Sequence, residues 1–568
     1  MKFTPILIAM LPMLAVTASQ AAVYQVVELG AVQGFKSSFA AAINDSNQVV
    51  GTNSSQFNYP IDLAAIDYSN TLITNALTAA EIEEVKKGNV NAKALAVLLN
   101  YVTASTGDFS VQRFADAFAV RLDTKERLPL RQTTLVNNYE YLLDINNQGQ
   151  ILGYATAPFT LQRFTPAVTT EVPNPVAVNL WVPESGYQLG VVVNQSQKQL
   201  LPPLFTGFGG GYSLPTAMNN NGRIVGIGSV GMPEATQTTI TTSCNGATQP
   251  VALCHYRNAI SGSMYTSGGL VWQLNAAGVP GTPTQLPFLG EKNTGLPHNN
   301  SAFTAVNYIS QPEDINDLGV IVGSSTYTDS SIIRFNGFTG RDEVFTAPKA
   351  VFFIDNKVES FISNSEWESN TALAINNKNI IVGTARKEWF RGPDRFFIYD
   401  LAAKQLTFPT DFFGTATTKP AAINDNNMVV GTTEAFLPGS SVRRNVGFMY
   451  DISTKTFTNL NTFLPCNSGY SIVDAVDINN RNVIVATAVK SVDRRDVKGD
   501  IVRDAQGNAL KEEVAVAVQL VPVAGGTVDK CDTTADTTYE RKGGSLSFLA
   551  LLLLPVVMFR RRWSLLSK

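Results

Sequence analysis

Histidine is almost missing from this chain: among 568 residues there are 2, His255 and His298. That scarcity removes histidine-built metal centres and the HExxH protease motif. A Ser-His-Asp triad would have to use one of the two, and both stand in segments that interrupt a repeat. Cysteine is nearly as rare, at 4, and no two are spaced C-x-x-C, so thiolate metal sites are not expected either. No G-x-S-x-G nucleophile elbow occurs. Gly207-Phe-Gly-Gly-Gly211 has the composition of a phosphate loop, but it leads into a repeat strand and not into a helix. No metal, cofactor or catalytic residue is expected from these motifs. Paired carboxylates stay open, because 46 acidic residues offer many combinations. Charge is low, at 16% of residues, against 44% hydrophobic with 42 Gly and 27 Pro, which describes a globular, turn-rich, β-leaning chain.

What is present is one element, Ala422–Gly431, repeated seven times around an invariant Asn: Asn44, Asn146, Asn219, Asn316, Asn376, Asn424 and Asn479. The preceding residue is Ile, or Met218 in one copy. The third residue after it is always Asn or Gly (Asn47, Gly149, Gly222, Gly319, Asn379, Asn427, Asn482), the two that enter the left-handed region most cheaply. Two aliphatic residues follow, then a Gly in six copies and Ala486 in the seventh. The pattern predicts a hairpin whose loop is a type I turn closed by a left-handed residue, with the Asn side chain accepting from the turn backbone. Ile43 then faces Val49 and Ala42 faces Val50, so both hairpin faces are apolar and belong inside a layered structure. Asp144, Asp314 and Asp477 precede the Asn by two residues, but Ala fills that position in the other copies. No copy has the spacing and terminal Glu of a calcium loop, so the Asn are read as structural.

Between the hairpins lies a second strand family: 118–123, 179–182, 270–274, 351–355, 396–400, 447–451 and 515–520. A short third strand follows most of them, at 187–189, 285–286, 405–408 and 456–460. The seventh unit lacks one downstream, and its counterpart is 24–29 at the other end. The expected fold is all-β, a seven-bladed β-propeller-like closed array of four-stranded repeats over 22–524, its first strand completing its last blade. Closure removes exposed sheet edges. The longest insertion, about 53–117, is expected to be helical. Thr78-Ala-Ala-Glu81 is a capping box, and Ile82, Val85, Leu95, Leu98 and Leu99 form a stripe broken at Gly88-Asn89. It reads as a lid over one propeller face or as a packed decoration.

Residues 1–21 read as a secretory signal: Lys2, an apolar run from Ile6 to Val16, and a small-residue site ending at Ala21, with the mature chain starting near Ala22. Four cysteines in an exported chain imply disulfides; the expected pairs are Cys244–Cys254 and Cys466–Cys531. A polar linker, 525–542, leads to Gly543-Gly544, an apolar run from Leu546 to Phe559, and Arg560-Arg561-Arg562. As a helix, 545–559 reaches only about 22 Å, short of the roughly 30 Å hydrocarbon core. The arginines place that end in the cytoplasm and the propeller outside. Removing Lys2, Arg560, Arg561, Arg562 and Lys568 leaves 38 basic against 46 acidic residues, a net charge of −8. A chain that acidic is not expected to bind nucleic acid.

An aromatic strand, a short Leu-containing strand and Ala-Ile-Asn-x-x-Gly-x-Val-Val-Gly together resemble the extracellular HAF-type repeat, although the His-Ala-Phe itself is absent and Ala486 departs from the pattern. The whole chain is similar to the DUF3466 family, a resemblance that carries no activity with it. Gly543-Gly544, the short apolar helix and the basic cluster at 543–568 resemble the GlyGly-CTERM sorting tail. That resemblance implies cleavage near Gly543-Gly544 by rhombosortase, a rhomboid-type sorting protease, after signal peptidase has acted. It also implies passage to the cell surface or medium, commonly by type II secretion; a permanent membrane anchor is the alternative. The one dense polar-aromatic cluster is Arg386, Trp389, Arg391 and Arg395, which suits stacking on a sugar ring or holding an anionic group, or is a solvated loop. Two functions follow: a non-enzymatic surface module binding an extracellular glycan or protein, or a secreted hydrolase or lyase acting on polysaccharide or peptide.

Overall fold

Strands that are apolar on both faces must be covered on both. In the computed structural model each repeat hairpin packs between its neighbours. Ala217, Val225 and Val271 of one unit lie against Ile315, Ile321 and Phe353 of the next. Likewise Ala374, Val382 and Phe396 lie against Ile423, Val429 and Phe448. The structure describes residues 23–131, 137–168, 173–262, 264–292, 306–337, 340–363, 365–388, 391–436 and 442–529. It divides into two compact units, 1–435 with 445–529, and 436–444 with 530–568. Among the described residues the second holds the strand ends at Phe436 and 442–444, and the sites below lie in the first.

The first unit is a seven-bladed β-propeller. Strands are lettered A to D from the channel outward. Blade 1 is Phe35–Ile43, Val49–Gln56, Phe118–Arg121 and Glu126–Arg127. Blade 2 is Glu140–Ile145, Ile151–Thr156, Gln188–Asn194 and Gln197–Leu200; blade 3 is Ser213–Met218, Arg223–Gly231, Thr266–Gln273 and Thr284–Gln285. Blade 4 is Ser310–Ile315, Ile321–Asn336, Arg341–Ile354 and Lys357–Ser360, with Gly290–Lys292 added in parallel to strand B. Blade 5 is Ser369–Ile375, Ile380–Arg386, Arg395–Asp400 and Gln405–Thr407; blade 6 is Thr418–Ile423, Met428–Phe436, Arg443–Asp451 and Thr456–Asn459. Blade 7 takes strands A to C from Ser471–Ile478, Ile484–Asp493 and Lys511–Pro522. Its outer strand is the N-terminal Tyr24–Glu28, paired from Tyr24↔Pro522 to Glu28↔Val518. The chain therefore closes on itself as its register requires.

The hairpin chemistry is as read. Ile43 pairs with Val49 and Ala42 with Val50. All seven third-position residues, from Asn47 to Asn482, have positive φ. The Gly that directly follows the aliphatic pair of the repeat is explained by a bulge in strand A. At Gly51, Gly323 and Gly431 an added Cβ would stand 2.1, 2.1 and 2.2 Å from the backbone oxygen of Phe39, Gln311 and Lys419. Blade 7, which has Ala486, carries a second bulge in its strand A, between Ile472 and Asp474.

Two strand assignments in blade 2 are corrected. The short outer strand expected at 187–189 is the start of strand C, and the outer strand is Gln197–Leu200. Residues 179–182 are not the third strand of blade 2; Val178–Pro183 pairs with Phe159–Phe164 in a separate hairpin, and Gln188–Asn194 fills the blade. A central blade strand is covered on both faces, which the Leu189–Val193 run satisfies, whereas Val178 and Asn179 are exposed. Trp181 instead packs on Phe109, Phe159 and Leu253 of the insertions.

The first insertion is helical over Ala79–Lys86 and Ala92–Ala104, with the Thr78–Glu81 capping box formed. Ile82, Val85, Leu95 and Leu98 are buried and Leu99 is half-buried. Cys244 and Cys254 are disulfide-bonded, linking helix Glu234–Ser243 to helix Val251–Ile260. Cys466 is also disulfide-bonded. Cys531, His298, Trp389, Ala21, Ala22, Gly543, Gly544 and the whole tail lie outside the described residues. Among the described residues no helix is long and apolar enough to cross a membrane.

Candidate functional site

In an antiparallel meander the connections alternate between the two faces of the propeller. The A–B turns, with the short C–D turns, lie on one face; the B–C and D–A connections lie on the other. The two faces differ in chemistry.

On the A–B face the seven invariant Asn form a closed ring. Each Oδ1 accepts from its own turn, as Asn424 does from Asn426 N and Met428 N, both at 3.0 Å. Each Nδ2 donates to the backbone oxygen of the Asn in the next blade: Asn44 to Asn146 at 3.0 Å, Asn146 to Asn219 at 3.3 Å and Asn219 to Asn316 at 2.9 Å. Asn316 to Asn376 and Asn376 to Asn424 are 3.0 Å, Asn424 to Asn479 is 2.9 Å, and Asn479 returns to Asn44 at 3.1 Å. Asp would serve the turn as well as Asn, but it has no proton to give the neighbour. The position is Asn in every blade for that reason.

The next residue forms a second belt: Asp45, Asn147, Asn220, Asp317, Asn377, Asp425 and Asn480. Each Oδ1 accepts from the backbone N of the preceding blade, closing with Asn480 N to Asp45 Oδ1 at 2.9 Å. Each carboxylate also takes two flanking amides; Asp425 Oδ2 accepts from Asn377 at 3.1 Å and Asn480 at 3.4 Å.

Behind the belts stand Asp144, Asp314 and Asp477. Each accepts from the N–H of its own following residue and from that of the next blade: Ile145 and Met218, Ile315 and Ile375, Ile478 and Ile43, all at 2.7–2.8 Å. Three aspartates thus serve six of the seven channel-facing N–H groups. The seventh, at Ile423, has Ala422 in its own blade and Ala374 in the blade before. Burial pushes the Asp314 carboxyl up to about 6 and Asp477 up to about 7, and raises Asp144, against the pull of their N–H donors. Together these residues line a cavity of about 200 Å³. No group of three His, Cys, Asp or Glu able to hold a metal occurs among the described residues. The chemistry of this end is satisfied internally, which makes it a girdle.

A further interblade bond lies six residues before the Asn, where Ser38, Glu140, Ser213 and Asn370 are buried. They accept from Ala517 N, from Leu130 N and Arg131 N, from Gly190 N and from Ala350 N of the preceding blade.

The other face carries the irregular segments. The B–C connections include 57–117 in blade 1, 157–187 in blade 2, 232–265 in blade 3, 387–394 in blade 5 and 494–510 in blade 7. Where blades 2 and 3 meet, Glu184, Ser185, Tyr187, Gly209, Ala252, His255, Tyr256, Ala259 and Tyr265 line a second cavity of about 240 Å³. The 207–211 loop forms one wall through a run of positive φ at Phe208, Gly209, Gly210 and Gly211. A Cβ on Gly209 would stand 2.9 Å from His255 Cβ, so this wall can be built only without a side chain there. Tyr265 Oη donates to Phe208 O at 2.7 Å. Arg131 fixes the opposite wall, donating to Gly186 O at 2.8 Å and Ser185 O at 2.9 Å, with Glu184 3.9 Å away. Burial holds the His255 imidazole below its ordinary value and raises the Tyr187, Tyr256 and Tyr265 phenols.

Of the residues singled out at 386–395, Arg386 donates to Asp394 at 2.7 Å and Arg395 to Gly414 O at 2.8 Å, with Asp411 3.6 Å away. Arg391 N donates to Glu388 O at 3.2 Å. His255, beside the disulfide-bonded Cys254, lines the second cavity. No motif announced that cavity, because its walls come from three connections far apart in the chain. The girdle did leave a signal: only Asp and Asn occur after the invariant Asn, and Asp or Ala two before it.

No curated protein matches this chain. Among solved structures it is similar to a Mycobacterium tuberculosis puromycin-hydrolyzing peptidase, at 10% identity and TM-score 0.32, over 67% of this chain and 47% of that one. It is similar to a protein of unknown function from Dyadobacter fermentans, at 10% identity and TM-score 0.31, over 66% and 92%. It is also similar to Porphyromonas gingivalis dipeptidyl peptidase 4, at 7% identity and TM-score 0.30, over 68% and 48%. The chain spans about half the length of the two peptidases, and likeness at this level carries no argument about activity. The family is a different matter: the model described as "Protein of unknown function (DUF3466)" matches residues 6–562, and the chain belongs to that family.

Proposed function

We propose that this protein is an exported, surface-sorted binding propeller, non-enzymatic, which takes an extracellular glycan or protein on the face bearing its B–C connections. The observation that carries the reading is the division of labour between the faces. One is closed by two hydrogen-bonded belts, while the unequal segments, the disulfide-stapled helices and the aromatic cavity all gather on the other. Irregular loops held by a rigid scaffold are where binding groups concentrate. The signal at 1–21 and the tail at 543–568 supply the route outward, with cleavage near Ala21-Ala22 and Gly543-Gly544. Arg386 and Arg395 bound the B–C connection of blade 5 on that face.

A second reading, a secreted hydrolase or lyase, is favoured by one observation: Ser185, His255 and Glu184 line the same cavity. Ser185 and His255 are not hydrogen-bonded to each other, as an activated serine would require. The test is one preparation of the processed protein assayed both ways, on a glycan and cell-surface binding array and against polysaccharide and peptide substrates. Binding without turnover is the expected result. Turnover abolished by Ser185→Ala would replace this reading with the second.

A further inference from the structure

Four polar groups in the second cavity have no hydrogen bond to any described residue: Ser185 Oγ, the Tyr187 and Tyr256 hydroxyls, and the His255 imidazole. Ser185, Tyr187 and His255 share the lining with aromatic surface, whereas the Tyr256 ring packs on Phe109 and Phe159. The Tyr187 and Tyr265 rings are parallel within 4°, their centroids 6.3 Å apart, and Phe208 stands edge-on to His255 at 5.8 Å. Hydroxyl donors and acceptors set among aromatic faces match one kind of ligand, a ring with apolar C–H faces and an equatorial rim of hydroxyls. The only carboxylate in the lining, Glu184, lies near Arg131, so no net charge is asked of the ligand. At about 240 Å³ the cavity falls below the roughly 300–1,000 Å³ of sites that enclose drug-sized molecules, and it suits one ring of a longer chain. The walls are already built. Arg131 holds the 184–186 segment, the glycine run seats against His255, and the Cys244–Cys254 bond ties down the helix that carries His255. Little ordering remains to oppose binding.

We propose that this cavity, where blades 2 and 3 meet, binds the terminal sugar ring of a neutral glycan, with Tyr187 and Tyr265 covering the ring and Ser185 and His255 taking its hydroxyls. The proposal rests on the binding reading above and assigns it a place. Ala252 gives a clean block: it is exposed on the Val251–Ile260 helix yet lines the cavity, so Ala252→Phe fills the entrance without disturbing the core.

The disulfide-intact, processed protein would be tested on an array of glucose-, galactose-, mannose- and N-acetylhexosamine-terminated oligosaccharides, with titration calorimetry on the strongest hit. Ala252→Phe is expected to weaken binding at least about tenfold with an unchanged melting temperature, and Ser185→Ala about three- to tenfold through one lost hydrogen bond. Wild-type binding that Ala252→Phe leaves unchanged overturns the cavity assignment and leaves the binding propeller standing. Binding confined to anionic glycans or to proteins overturns the sugar assignment alone. No binding to any array member or cell surface overturns both.

Discussion

The invariant Asn serves two blades at once, and the two duties can be separated by one atom. Asn424→Asp keeps the Oδ1 that accepts from its own turn but turns an acceptor, not a donor, toward the Asn479 carbonyl. A buried oxygen facing an oxygen forfeits the bond and strands both groups, so a loss of roughly 2–4 kcal/mol in denaturant unfolding is expected. A loss no larger than that of an exposed Asn→Asp change would mean that the turn alone matters. The channel aspartates give the girdle a pH signature. Asp314 and Asp477 titrate near 6 and 7 when folded, against about 4 in an unfolded chain. Between those values the folded protein holds protons that the unfolded chain has released. This stabilisation is therefore fullest at the low end of the window and falls as pH rises through 6 and 7. Glu28 and Glu512, held low by Lys490 and Lys36 against their own burial, act oppositely and lose their contribution only below their ordinary range. The melting temperature should decline from about pH 5 to pH 8. Asp477→Asn should melt lower at pH 5, having one acceptor for two N–H groups, and decline less steeply. An equal slope in both proteins would remove Asp477 as the titrating group.

At the scale of the hairpin, the glycine of the repeat is required by a bulge that no sequence pattern displays. Gly431→Ala brings a methyl to 2.2 Å from Lys419 O, so a substantial loss of thermal stability is expected, of the order of 1–3 kcal/mol or more as for overpacking. Ala486→Gly, beside the second bulge of blade 7, should lose only about 0.5–1 kcal/mol. Equal losses at the two positions would remove the steric account. Turn type, register and the left-handed third residue were all legible in the sequence, because each is a local property of six or seven residues. The bonds from Ser38, Glu140, Ser213 and Asn370 were not, since their partners lie in the preceding blade. Strand C of blade 2 was misread for a related reason: Trp181 looks like a core aromatic, but its core is the insertion and not the blade. The cavity at Tyr187, His255 and Tyr265 was illegible because nothing local relates its walls.

Over the whole molecule, closure depends on Tyr24–Glu28, the outer strand of blade 7. The signal cleavage proposed above must therefore leave Tyr24 in place, and N-terminal sequencing of protein recovered outside the cell is expected to find a start at or near Ala22. A start beyond Glu28 would contradict closure by this strand. The same closure sorts the connections onto two faces, one made rigid by belts of Asn and Asp, the other assembled from insertions. On that division the account stands. Its most direct test is hydrogen–deuterium exchange of the processed protein, with and without the oligosaccharide it binds most strongly on the array. Slowed exchange confined to the insertion face, at 184–187, 207–211 and 251–265, with the turns at 44–48, 146–150 and 424–428 unchanged, is the predicted result. Protection centred on those turns would contradict it and place the ligand at the girdle.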